Sequence, residues 1–434
     1  MEACPPPPRS STLGRTFGRG GTMGADAGRP ADAGRRGELD VLRALVVLGL
    51  VFFHSALVFS PDDDFYVKDP RTTDAVTVLA GFGVVWAMPL LFLVAGLGAR
   101  HSIRRRGARG FARERLLRLG VPLVFATLAL CPLPQWLRLR AADPGYDEPY
   151  GRFWPRFLTV RPDLADFPFV LEGDHFETGH LWFVVLLLTF CLLLAPVAAR
   201  LAAAAERAAP ALRRRPGLLL LPALPLAAVN ALLGMEEGFA GWNRWAYLLF
   251  FLHGFALADD ERVRGTTRRA AVPVGVLGLV LFAGTAPGFV AGDDPFTARS
   301  PWALCTRALF GAAGWCWVVA ILGLLDRPGR PRARAERGGR AAVLRYLTPA
   351  ALPWYVLHQP VVVAFAYGVV GWPAPTAVKY AVIVTASLAV ILLVYEYGVR
   401  RSPVTRFLFG MRTGSRAPAA GTPPRPDPRL PPSS

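Results

Sequence analysis

The sequence predicts an all-α, polytopic integral membrane protein with about ten transmembrane helices and both termini cytosolic. Three observations lead there. Apolar residues make up 53% of the 434 positions and charged residues only 18%, whereas a soluble domain carries about 45–50% and about 25%. The charges gather in clumps, separated by apolar stretches of roughly 20 residues, the length that crosses a ~30 Å hydrocarbon core at ~1.5 Å per residue. Basic residues also alternate from one connecting segment to the next.

Spans are expected at 39–59, 75–99, 118–137, 181–199, 217–234, 244–258, 271–290, 302–325, 348–370 and 374–397. The sixth is the shortest. Pro89, Pro225 and Pro360 fall inside spans and are expected to kink them. Residues 1–36 are Pro, Gly, Ser and Arg with no apolar core, so they read as a disordered cytosolic tail and not as a cleavable signal. Residues 401–434, rich in Pro and Arg, read as a second such tail. The membrane domain is then 37–400. No internal repeat is visible, and no soluble segment is long enough to fold alone.

Loop charge sets the orientation. Arginines before span one, and in the 2–3, 4–5, 6–7 and 8–9 connections and after span ten, account for 37 of the 49 basic residues. The 1–2 connection instead holds five Asp against Lys68 and Arg71, and the long 3–4 connection, about 138–180, holds eight acids and five Arg. Positive charge stays on the cytosolic side of a membrane, and ten spans is the count at which this alternation closes. The net charge of +18 is therefore a topology signal, and no nucleic-acid partner is expected; the partner is the bilayer. Five cysteines, Cys4, Cys131, Cys191, Cys305 and Cys316, form no CxxC pair and read as small packing residues. His175 and His180 lack an adequate third ligand, so no metal is expected.

Ionisable side chains within spans mark where chemistry can sit. Arg43 and His54 lie eleven residues apart on span one. At ~100° per residue they return to nearly one face, ~16 Å apart along the axis. Read alone, His54 fits either chemistry or a helix–helix hydrogen bond. Arg115 and Arg118, at i and i+3, project from one face of the helix entering span three. They suit a phosphate-bearing ligand or anionic lipid headgroups. His180 and Trp182 open span four beside Asp174, His175, Phe176 and Glu177, a group suited to a sugar or to an interfacial aromatic belt. His358 in span nine, His253 in span six, Arg307 in span eight and Glu396 in span ten fit helix–helix bonding as well as chemistry. No nucleophile-elbow, Walker-type or dinucleotide glycine motif is present.

These segments together resemble the acyltransferase 3 family of bacterial membrane acyltransferases. Arg43-(ten residues)-His54 resembles its first-helix motif, Arg115-Leu-Leu-Arg118 its Arg-x-x-Arg motif, and Phe92-Leu-Val-Ala-Gly96 its span-two ending. His180-Leu-Trp182-Phe183 and Tyr355-Val-Leu-His358-Gln-Pro360 resemble a subgroup that includes glucan-modifying succinyltransferases. The resemblance covers about residues 37–400. It implies transfer of an acyl group, of O-acetyl or succinyl type, from cytosolic acyl-CoA to a hydroxyl of an extracytoplasmic carbohydrate or glycosylated acceptor at the bacterial plasma membrane. It implies CoA phosphates on Arg115 and Arg118, an acid–base or acyl-handling role for His54 with Arg43 as motif partner, and His180, Trp182 and His358 toward the acceptor. No bound cofactor is implied, since acyl-CoA is the donor substrate. The competing expectation is a transporter or flippase, or a non-catalytic membrane protein on the same fold. The sequence carries no signal for oligomeric state.

Overall fold

The computed structural model describes residues 29–61, 64–257, 261–292, 294–326 and 339–411. The expected tails before 29 and after 411, Cys4, and the basic run between 327 and 338 lie outside the described residues.

The described chain is almost wholly helical. In order it forms α1 (Arg29–Leu57), α2 (Asp74–Val84), α3 (Ala87–Arg115), a π turn (Leu116–Gly120), α4 (Val121–Ala129), α5 (Pro132–Ala142) and α6 (Tyr150–Phe157). A two-stranded antiparallel ribbon follows, β1 (Arg161–Pro162) with β2 (Leu171–Glu172). Then come α7 (Trp182–Arg214), α8 (Ala223–Leu233), α9 (Arg244–Leu257), α10 (Glu261–Ala283), α11 (Ala286–Ala291) and α12 (Pro301–Leu325). The last are α13 (Gly339–Val369), α14 (Thr376–Leu393) and α15 (Pro403–Leu408).

Among the described residues, seven helical stretches are long and apolar enough to cross a membrane. One of them, Asp74–Ala142, is 69 residues long and contains two of the ten predicted spans. Predicted span six is the 14-residue α9, about 21 Å at 1.5 Å per residue and short of a ~30 Å core. Predicted span nine falls in α13, where Pro349, Pro353, His358, Gln359 and Pro360 interrupt the apolar run.

Two of the three expected kinks are helix beginnings. Pro89 and Pro225 sit in the first turns of α3 and α8, where a missing N–H costs no intrahelical bond. The chain breaks at Val85 and Trp86 instead. Pro360 does lie inside α13.

Packing joins α1 to α13 and α14, α3 to α7 and α9, and α12 to α8 and α10. Small residues set the closest approach: a Cβ added to Gly96 of α3 would lie 2.0 Å from the Phe251 carbonyl, and one on Gly254 of α9 would lie 2.0 Å from the Leu93 carbonyl. Backbones this close gain dispersion contacts that lipid-facing Leu cannot supply. The tail expected from 401 begins too early. Residues 403–408 are helical, and Ser402 Oγ accepts from Val404 N at 3.2 Å to start the helix. Helix α1 likewise starts at Arg29, ahead of residue 37.

Two buried cations turn their terminal nitrogens onto acceptors. Arg307 of α12 donates to the carbonyls of Pro295, Ala231 and Ala298 at 3.2, 3.1 and 2.7 Å. Lys379 of α14 donates to Asp69 and to the Val370 carbonyl, both at 2.6 Å.

Candidate active site

A cavity of about 600 Å³ lies among α1, α3, the π turn, α7, α13, and α15 with the residues after it. Six arginines line it: Arg43, Arg105, Arg106, Arg115, Arg118 and Arg406. His101 joins them, against two acids, Asp40 and Glu114. The remaining lining is mostly apolar, with Val47, Leu91, Phe183 and Leu187, and includes Tyr355.

Local geometry explains how one short stretch supplies so many cations. Gly107 has φ +70° inside α3, a conformation open to glycine and costly for other residues. The chain folds back there, so Arg106 before the break meets Glu114 after it. Glu114 receives Arg106 at 3.0 Å and Ser102 Oγ at 3.3 Å, and Arg118 approaches it to 3.5 Å. One carboxylate thus offsets the mutual repulsion of two guanidinium groups. Arg115 lies over the Phe111 ring at 5.1 Å, and its buried Nε has no hydrogen-bond partner. Arg43 donates to Asp40 at 3.1 Å and to the Val94 carbonyl at 2.9 Å.

Seven residues beyond Val47 on α1, at ~1.5 Å each, stands His54. Three imidazoles meet there. The His54 and His358 ring centres are 4.9 Å apart, and His180 and His358 are 5.0 Å apart. His358 is fully buried and His180 is 4% exposed. Backbone carbonyls fix two of the tautomers. His358 Nδ1 faces the Tyr355 carbonyl, and His180 Nε2 faces the Val356 carbonyl at 3.1 Å. A carbonyl only accepts, so each of those nitrogens carries the proton and the opposite nitrogen keeps a lone pair. Those opposite nitrogens, His358 Nε2 and His180 Nδ1, are buried without a partner, as is His54 Nδ1. Tyr355 ties the cluster to the cavity: its hydroxyl donates to the His180 carbonyl while its side chain lines the basic cavity.

A family described as an acyltransferase domain matches residues 36–396. The chain belongs to the acyltransferase 3 family. No curated protein and no solved structure matches it. As a member of that family with seven membrane-length apolar stretches among its described residues, it is a multi-pass membrane acyltransferase.

The acyltransferase brings six of its seven sequence-predicted site residues to this region. Arg43, Arg115 and Arg118 line the cavity, and His54, His180 and His358 form the imidazole cluster. Trp182 goes elsewhere. Its ring packs with Phe92, Phe183, Phe239 and Tyr247 at 6.5, 6.4, 5.5 and 5.4 Å, in the aromatic core where α3, α7 and α9 meet. His175 also stands apart, with its Nε2 2.8 Å from Arg156. His253 stacks edge-on against Trp315 at 5.2 Å, and Glu396 accepts from Tyr346 at 3.0 Å.

Beside the imidazoles lies a second polar group. The Tyr66 hydroxyl donates to Glu177, which is 4.0 Å from Arg138. Burial pushes the Glu177 carboxyl above its ordinary range, against the opposing pull of Tyr66 and Arg138. Sequence reading passed over Glu114, Tyr66 and the 403–411 segment. Glu114 carried a signal, as the sole acid among eight arginines between residues 100 and 118. The 403–411 segment carried none, because its role comes from where it docks.

Proposed function

We propose that this acyltransferase moves an acyl group from cytosolic acyl-CoA to a hydroxyl of a carbohydrate or glycosylated acceptor across a bacterial plasma membrane. Its chain would cross ten times, with both termini in the cytosol. One observation carries the reading: an arginine-lined cavity shares Tyr355 with a cluster of three imidazoles, each with a buried ring nitrogen that has no partner.

The chemistry divides along that path. Arg115 and Arg118 would bind the phosphates of CoA, as guanidinium groups do through paired N–H donors. The pantetheine arm would extend along the apolar lining toward Tyr355. At the cluster the acceptor oxygen attacks the thioester carbonyl. A C–O bond forms, the C–S bond breaks, and the hydroxyl proton passes to His54 and then to the leaving thiolate. A positioned general base contributes about 10²–10⁴-fold. His180 and His358 would stand on the acceptor side, with Trp182 behind them in the aromatic core. Arg43, held by Asp40 and the Val94 carbonyl, would keep the cavity positive at the base of the His54 helix. The donor is a substrate, and no bound cofactor takes part.

The direct test is CoA release by the purified protein from acetyl-CoA and succinyl-CoA with a panel of glycans. The wild type should release CoA far faster than His54→Ala and Arg118→Ala. The reading fails if the wild type is no faster than His54→Ala with any donor and acceptor. A reporter inserted in the 138–180 connection should face the outside, and cytosolic exposure of it would overturn the orientation.

A further inference from the structure

The cavity is closed on one side by a segment that no predicted span contains. Residues Arg406, Gly410 and Met411 line it, though they come after α14 and beyond the family match, which ends at 396. We propose that this segment completes the donor site, with Arg406 as a third phosphate-binding arginine whose position is set by docking of Gly410 on Arg118. The proposal rests on the acyl-CoA reading above and adds a ligand contact to it.

The docking is tight and direct. Arg118 Nε donates to the Gly410 carbonyl at 3.3 Å. Gly410 has φ +67°, where a side chain is strained. An added Cβ would lie 2.3 Å from the Arg118 carbonyl oxygen and 2.8 Å from both Leu352 and Pro122. The first of these is a backbone atom that cannot rotate away. Phe409 packs on Phe125 of α4 with ring centres 5.3 Å apart, and the Thr405 hydroxyl donates to the Gly398 carbonyl at 2.8 Å. The contacts to Arg118, Pro122 and Phe125 fix the segment against the π turn and α4, and those to Leu352 and Gly398 fix it against α13 and the turn after α14.

Charge gives the second argument. Among the described residues, six arginines and His101 face one cavity in which Asp40 and Glu114 are the acids. Cations gathered at a half-dry site repel one another more strongly than they would in water. A polyanion bound among them relieves that repulsion. CoA, with a diphosphate and a 3′-phosphate, is such a polyanion, and two arginines alone make few of the bidentate contacts its phosphates can accept. Arg406 is the cation added by the 403–411 segment.

The test is calorimetric titration of CoA into the full chain held in lipid nanodiscs. Arg406→Gln should weaken CoA binding about tenfold or more, the scale of one lost charge-assisted hydrogen bond. In turnover it should raise KM for the acyl-CoA with little change in kcat, and Arg406→Lys should recover part of the loss. Gly410→Ala should weaken binding as well, through displacement of the segment from Arg118. Arg401→Gln is the control, since that side chain lies over the exposed Tyr397 ring, and it should bind as the wild type does. Thermal melts of each variant separate loss of the site from loss of the fold. Wild-type binding with unchanged affinity in Arg406→Gln overturns this inference alone. If the wild type itself binds no CoA, the donor reading falls and this inference falls with it.

Discussion

Two regions of the molecule bury cationic or imidazole side chains, and they do so in opposite ways. Arg307 and Lys379 are 1% and 2% exposed, and both turn their terminal nitrogens onto acceptors. Arg307 places its two Nη groups on three backbone carbonyls, with its Nε alone left without a partner, and Lys379 meets Asp69 and the Val370 carbonyl. The imidazole cluster does the reverse. His54, His180 and His358 each keep one buried ring nitrogen without a partner, although an unpaired buried polar atom costs about 1–3 kcal/mol. The contrast is one of placement: the unpartnered imidazole nitrogens gather in one cluster beside Tyr355, a residue of the cavity lining. Arg307 and Lys379 tie loops to helices, whereas the histidines are the groups that the proposed chemistry would use.

The sharpest way to break this comparison is to remove one member of each region. His54→Ala should lower acyl transfer by about 10²–10⁴-fold, the usual worth of a positioned base, with its melting temperature close to that of the wild type. A wild-type rate in that variant would remove the distinction. Asp69→Asn should act the other way. It leaves Lys379 a buried charge without its counter-ion, which costs about 3–5 kcal/mol, so the loss should appear in thermal melts and yield, while the correctly folded fraction keeps its turnover number. A smaller effect should follow from Arg118→Ala, which removes a cavity cation and its bond to Gly410. KM for the acyl donor should rise roughly tenfold, and the change should shrink at high salt as screening grows.

The smallest effect is one of pH. Burial holds the Glu177 carboxyl above its ordinary value, so the folded protein binds that proton more tightly than the unfolded chain does. Its contribution to stability is therefore complete below the ordinary carboxyl value and declines as pH rises through the folded value. Glu177→Gln should flatten this slope in melts taken between about pH 4 and 7. An unchanged slope would show that Tyr66 and Arg138 cancel the burial.

Much of the candidate site was legible in particular residues. The eleven-residue step from Arg43 to His54 is a property of one helix, and a helix has a fixed rise and angle per residue, so the face they share follows without knowledge of neighbours. The three-residue step from Arg115 to Arg118 crosses from α3 into the π turn, yet both side chains still line the cavity. Trp182 shows the limit. Its place at the start of α7 was read from sequence, yet its partners Phe92, Phe239 and Tyr247 come from other elements, and those contacts decide that it packs rather than lines the cluster. The 403–411 segment shows the same limit from the other side. It follows closely on the Arg400-Arg401 pair and leads into the Pro- and Arg-rich stretch that reads as a tail, and only the fit of Gly410 against Arg118, Leu352 and Pro122 makes it a wall of the cavity.

The amino-acid sequence by itself determined that this chain is a helical membrane protein, which helices carry ionisable groups, and to which acyltransferase family it belongs. Those properties sum over local stretches: transfer of apolar residues into hydrocarbon, helical periodicity and the order of short motifs. The tertiary structure alone decided that His54, His180 and His358 share one cluster, that Glu114 gathers Arg106 and Arg118, and that Tyr355 joins cavity to cluster. Such meetings depend on how distant helices pack, and packing is fixed by contacts such as Gly96 on Phe251 and Gly254 on Leu93, which no single stretch of sequence contains.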